Sequence, residues 1–113
     1  MSNKSVFNNI TDQIVKFAKN RLGDRLDKVI LYGSYARGDY TDESDIDIMV
    51  IADINNEEIQ NIGKELWDIG WELGYDNNVI ICVYITDCTT YYKFINDLPF
   101  YKNINKDGIL LSA

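Results

Sequence analysis

The chain has 113 residues, 18 acidic and 11 basic side chains, a formal charge of −7 and no histidine. Histidine triads and histidine general bases are therefore excluded, and the overall field opposes duplex nucleic acid as the main partner. No charged-then-apolar leader and no apolar run of about 18 residues occurs, so one small cytoplasmic domain, 1–113, without membrane contact is expected.

In chain order, Phe7, Ile10, Ile14, Phe17 and Ala18 recur at helical spacing. Residues 5–22 are predicted as an amphipathic helix, capped by Ser5 or Asn3 and ended by Gly23. Lys16, Lys19, Arg21, Arg25 and Lys28 are read as a solvated face in preference to a nucleic-acid patch. Val29–Tyr32 is the first strand, apolar on both faces and so central in its sheet. It stops at Gly33-Ser34, and a glycine after a buried strand lets backbone N–H groups come close to a ligand, a phosphate above all. The residues after Ser34 can form a short helix whose first N–H groups point to the same place.

Asp45–Ile51 is the second strand. The period of two puts Asp45, Asp47 and Met49 on one face and Ile46, Ile48 and Val50 on the other. Two neighbouring carboxylates repel, and the pair is comfortable as a dianion only with a cation between them. A hard ion such as Mg²⁺ fits, because it binds through one or two carboxylates plus substrate phosphates. The link from Ser34 to Asp45 is short, so both can meet one nucleotide only if the two strands lie antiparallel, side by side.

Asn55 and Glu58 have capping-box spacing. The helix they open is expected to run to about Leu73, burying Ile59, Ile62, Leu66, Ile69 and Leu73. Trp67 and Trp71 fall on an adjacent stripe and are read as core margin in preference to a partner surface. Gly74 to Asn78 is a turn, and Val79–Ile85 a third strand parallel to the second by a right-handed crossover. Ile80, Cys82 and Tyr84 share one of its faces. Thr89–Ile95 begins a helix, Pro99 opens another that runs over Phe100–Asp107 to Gly108, and Ile109–Leu111 is a short edge strand. Tyr91, Tyr92, Phe100 and Tyr101 are expected to pack over the sheet. Cys82 and Cys88, without histidine, are expected reduced and poor zinc ligands. The fold class is α/β (α+β): a small mixed β-sheet with helices packed on it.

Gly33-Ser34, Arg37-Gly38 and Ser44-Asp45-x-Asp47 together resemble the signature of the DNA polymerase beta-like nucleotidyltransferase superfamily, most closely its minimal nucleotidyltransferase (MNT) branch. The resemblance implies a polymerase beta-like palm and Mg²⁺-dependent transfer of a nucleoside monophosphate, AMP, from ATP to a hydroxyl. Asp45 and Asp47 would be the catalytic residues and hold two Mg²⁺ ions. Gly33 and Ser34 would cradle the β- and γ-phosphates, Arg37 would reach the triphosphate, and Ser44 would hold the loop that enters Asp45 at the nucleotide. It also implies an acceptor, a tyrosine of a helical HEPN-type toxin, and hence an antitoxin role. Two other readings stand beside this one: a nucleotide-binding module that inhibits such a partner by contact alone, and an antibiotic nucleotidyltransferase, which usually needs more acceptor-binding protein. The family carries a third carboxylate on the third strand, whereas Val79–Ile85 contains none and Cys82 takes its place. Asp76, Glu72 or a partner's acid could substitute, and transfer is expected to be slow or partner-assisted.

Overall fold

A computed structural model describes residues 4–113. Helix α1 (Lys4–Leu22) leads through a 3₁₀ turn into β1 (Leu26–Tyr32), the one-turn helix α2 (Ser34–Arg37) and β2 (Ile46–Ala52). Then follow α3 (Asn56–Asn77), β3 (Ile81–Asp87), α4 (Cys88–Phe94), α5 (Pro99–Asp107) and β4 (Ile109–Ser112). Asn3, one of the two expected caps, lies outside the described residues, and Ser5, the other, sits inside α1.

The sheet order is β3-β2-β1-β4, with β1 antiparallel to β2 and β4 and β3 parallel to β2. The mixed sheet, the antiparallel first pair, the parallel crossover and the β4 edge are all as the sequence predicts. One face of the sheet is sealed by α1 and α3. Ile10, Ile14, Ile62 and Leu66 pack there against Val29, Ile46, Ile48 and Val50, each essentially inaccessible and each contributing about 1.5–3 kcal/mol of burial. The other face is covered over half its length, where Tyr91 of α4 and Ile104 of α5 close over Ile30, Met49 and Ile51. Phe100 stands edge-on to Tyr32 at 5.8 Å and marks the border of that cover. Beyond it, the end of the sheet that holds Asp47 is open.

The capping box forms as expected, Asn55 accepting from the Glu58 N–H at 2.9 Å and Glu58 from the Asn55 N–H at 3.2 Å. Two expectations for α3 fail. The helix does not turn at Gly74 but continues to Asn77, and Asn78 closes it in the left-handed conformation at φ 54°. Gly74 is there for proximity, since a Cβ on it would stand 2.4 Å from the Val79 carbonyl oxygen. The core-margin reading of Trp67 and Trp71 is also wrong: they are 50% and 71% exposed. Strand β3 correspondingly starts two residues late, because Val79 and Ile80 belong to the connection, with Ile80 turned to solvent.

The basic residues behave as a solvated face. Arg21 pairs with Glu65 at 2.9 Å and Arg25 with Glu58, tying α1 and its turn to α3, each a surface pair of at most about 1 kcal/mol. Among the described residues, no helix is long and apolar enough to cross a membrane.

Candidate functional site

The exit of β1 and the start of β2 meet at one end of the sheet, where Tyr32 is paired with Asp47. Gly33, which follows Tyr32, adopts φ 76° and ψ −155°, a region that only glycine enters without strain. A Cβ at this position would lie 2.5 Å from Asp47 Oδ2. Glycine therefore does two things here: it turns the chain out of the strand, and it lets backbone and carboxylate approach within contact. Asp45 stands just before β2 and Asp47 is its second residue.

The electrostatics show the strain of the pair. The Asp47 carboxyl is held above its ordinary range by burial first and by the Asp45 charge second, with Arg37 pulling it back. Cys82 is the register partner of Asp47 on β3. Its thiol is raised, again by burial first and then by Asp47 and Asp45, and burial with the Asp47 charge raises the Tyr32 phenol as well. Burial leads in all three, and carboxylate charge adds to it.

The loop from Gly38 to Asp45 is held from two sides. Ser44 Oγ accepts from the Thr41 N–H at 2.8 Å, and the Ser44 N–H donates to the Thr41 carbonyl at 3.1 Å. The Ser44 hydroxyl is thus engaged within the loop. At the other end Tyr40 stacks on Tyr35 at 4.3 Å, and Tyr35 on Phe7 of α1 at 5.5 Å. Helix α2 ends at Arg37, whose Nε donates to Asp39 at 3.3 Å, both side chains exposed. The geometry thus brings Gly33 and Asp47 together, sets Asp45 and Arg37 close enough to act on Asp47 by charge, and gives Ser44 a loop-holding place. The Thr41 partner and the three-ring stack were not foreseen; aromatic residues at irregular spacing carry no signal of which rings will meet.

Neither of the two acids named as substitutes from within the chain joins Asp45 in the cleft beside it: Glu72 and Asp76 lie on α3 and do not line that cleft. Strand β3 does contain an acid, Asp87, contrary to the expectation, but at the far end: it pairs with Ala52 and caps α4 by accepting from the Thr90 N–H at 2.9 Å. Among the described residues, no group of three or more acidic or cysteine side chains is arranged to hold a metal. Two carboxylates whose repulsion Arg37 offsets only in part, next to a glycine that lets backbone approach, fit one hard divalent cation whose other ligands come from a phosphate.

On the other side of Asp45, a cleft of about 550 Å³ runs between α3 and the start of β3. Asp42, Glu43 and Asp45 line it together with Trp67, Trp71 and Tyr75 of α3 and Cys82 of β3.

Comparisons with known proteins agree with this geometry. The profile of the nucleotidyltransferase domain family matches residues 11–111. A Methanocaldococcus jannaschii chain, MJ0604, provisionally named a protein adenylyltransferase, is 34% identical over 88% of this chain and 91% of its own length. A second from that organism, MJ1305, with the same kind of name, is 45% identical over 43% of this chain and 33% of its own. Among solved structures, a Sulfolobus solfataricus chain assigned as a nucleotidyltransferase superposes with a TM-score of 0.60 at 21% identity, over 96% of this chain and 87% of that one. A Shewanella oneidensis complex of a tri-AMPylated HEPN toxin with its MNT antitoxin gives 0.51 at 16% identity, over 94% and 71%. These last two likenesses establish the polymerase beta-like fold.

Proposed function

Because the chain belongs to the nucleotidyltransferase domain family, we propose that it transfers AMP from ATP to a hydroxyl, the acceptor being a tyrosine of a HEPN-type toxin. One observation carries the chemistry: Asp47 stands against the Gly33 backbone within the field of Asp45, and is driven upward by burial and by that neighbour. The names of the relatives support adenylyl over other groups, and the toxin–antitoxin neighbours support the acceptor.

In this reading the acceptor oxygen bonds to the α-phosphorus, the bond to the bridging oxygen of pyrophosphate breaks, and the hydroxyl proton passes to water. Asp45 and Asp47 would hold Mg²⁺, which when bound orients the triphosphate and neutralises charge on the departing pyrophosphate. Gly33 and Ser34 present backbone N–H groups and a hydroxyl to the β- and γ-phosphates. Arg37 would leave its exposed pair with Asp39 and offer its fork to phosphate oxygens. Ser44 keeps the Asp45 end of the loop in place. Incubation with ATP, Mg²⁺ and a HEPN toxin should add AMP to a toxin tyrosine, read by mass spectrometry, and Asp45→Asn with Asp47→Asn should abolish it.

Cys82 beside Asp47, where an acid would complete the ligand set, favours a second reading, a nucleotide-binding module that inhibits the toxin by contact. Toxin inhibition that persists in the double Asn variant, without any AMP transfer by the wild type, decides for it.

A further inference from the structure

On the reading that Asp45 and Asp47 serve nucleotidyl transfer, we propose that the cleft between α3 and the start of β3 is the acceptor groove. It takes a cationic polypeptide segment that bears the acceptor hydroxyl, with Arg or Lys side chains lying on Trp67 and Trp71 and paired with Asp42 and Glu43.

The sheet order β3-β2-β1 sets the two carboxylates between two flanks. Gly33 and Ser34 occupy the β1 flank. The cleft, lined by Asp45 and by Ile81 and Cys82 of β3, occupies the β3 flank. Phosphoryl-type transfer runs in line, with attacking and leaving oxygens on opposite sides of the phosphorus. If the pyrophosphate departs over the β1 flank, the acceptor reaches the α-phosphorus from the β3 flank.

The chemistry of the walls selects the segment. Trp67, Trp71 and Tyr75 are i, i+4 and i+8 on α3 and are 50%, 71% and 80% exposed, a patch of aromatic surface that a solitary domain does not need. Aromatic rings and carboxylates lining one cleft suit guanidinium and ammonium groups, which stack on the rings and pair with the acids. The aromatic wall is fixed in place. Gly70 and Gly74 let α3 lie against β3 so closely that a Cβ would stand 3.1 Å from the Ile81 carbonyl oxygen at the first and 2.4 Å from that of Val79 at the second. Asp42 and Glu43 make the groove hostile to phosphodiester chains. A second copy of this chain is a poor occupant too, since it carries −7 and its Arg21 and Arg25 are already paired with Glu65 and Glu58.

Both tryptophans of the chain line the groove, so their fluorescence reports on it directly. The probes are an acetylated Arg-Ala-Tyr-Ala-Arg peptide, its counterpart with Glu for Arg, and a uridine oligonucleotide, each titrated into the full chain without nucleotide. The Arg peptide should shift the emission saturably and the Glu peptide should not. Trp71→Ala, and separately Asp42→Asn with Glu43→Gln, should weaken the Arg peptide about tenfold, while calorimetry shows unchanged binding of Mg²⁺ and a non-hydrolysable ATP analogue. Equal binding of both peptides, tighter binding of the oligonucleotide, or insensitivity to these substitutions overturns the proposal. So does a loss of analogue affinity in Trp71→Ala, which would make the cleft a base pocket. Failure of the wild type to bind the analogue overturns the transferase reading instead and leaves the peptide result standing.

Discussion

Replacing Gly33 with alanine separates the backbone's role in the site from its role in the fold. At φ 76° and ψ −155° a non-glycine residue costs about 1–3 kcal/mol. A value near 2 kcal/mol lowers Tm on the order of 10 °C for a domain of this size. The new methyl would also lie 2.5 Å from Asp47 Oδ2, well inside van der Waals contact, and must displace the carboxylate. Gly38 supplies the control. It too has positive φ, 84°, but a Cβ there meets nothing within 4 Å, so Gly38→Ala should cost only the conformational part, about 1 kcal/mol. Thermal melts and calorimetry with Mg²⁺ and a non-hydrolysable ATP analogue read the two effects apart. Both variants should melt earlier. Only Gly33→Ala should lose about tenfold or more in affinity, equivalent to about 1.4 kcal/mol. Equal losses of affinity in the two, or wild-type affinity in Gly33→Ala, would refute the view that this glycine exists to let Asp47 and the ligand meet.

Asp47→Asn should stabilise the metal-free domain at neutral pH while removing its stabilisation by Mg²⁺. The folded chain holds this proton more tightly than the unfolded one, so stability is lost as pH rises from the ordinary value of 3.8 through the raised one. Denaturant titrations across that range should show a flatter profile in the variant, and an unchanged profile would contradict the assignment. Cys82→Asp should lower stability without metal and recover it with Mg²⁺, because the new carboxylate stands beside Asp47; a loss that Mg²⁺ does not relieve would make Cys82 a packing residue only. Gly74→Ala, which helix propensity alone would reward by about 1 kcal/mol, should instead destabilise, since its methyl meets the Val79 carbonyl at 2.4 Å. A rise in Tm for that variant would mean that α3 has slack against β3.

The period-two pattern of Asp45 to Val50 and the length of its link to Ser34 were enough to foresee the antiparallel pair with both carboxylates at one end. Those are local facts, and β1, β2, β4 and the Asn55 cap were legible for the same reason. What could not be read depended on the partner surface. Gly74 looks like a turn until β3 is seen lying on it. Ile80 looks like strand because β-branched residues suit strands, yet it is 62% exposed. Trp67 and Trp71 have the size and hydropathy of core, and only the space already filled by Ile62 and Leu66 leaves them outside. Alternation fixed the face that Cys82 shares with Ile80 and Tyr84, and the family resemblance supplied its register opposite Asp47, where the structure has it.

The central place of β2 has a dynamic consequence. Its amides are bonded on both sides, to β1 and to β3, and Ile46, Ile48 and Val50 are wholly buried, so hydrogen exchange along it should require nearly global opening. The loop from Gly38 to Asp45 is closed by the Thr41–Ser44 and Glu43–Thr41 bonds, the exposed Arg37–Asp39 pair and the Tyr40 stack, with no ladder on either side, and its amides should exchange through small local openings. The carboxylate of Asp47 thus rides on the slowest-exchanging part of the sheet while its neighbour Asp45 hangs at the end of a faster-opening loop. On the proposed function, nucleotide and product would come and go by a movement of that loop, without any melting of the sheet that holds the charge.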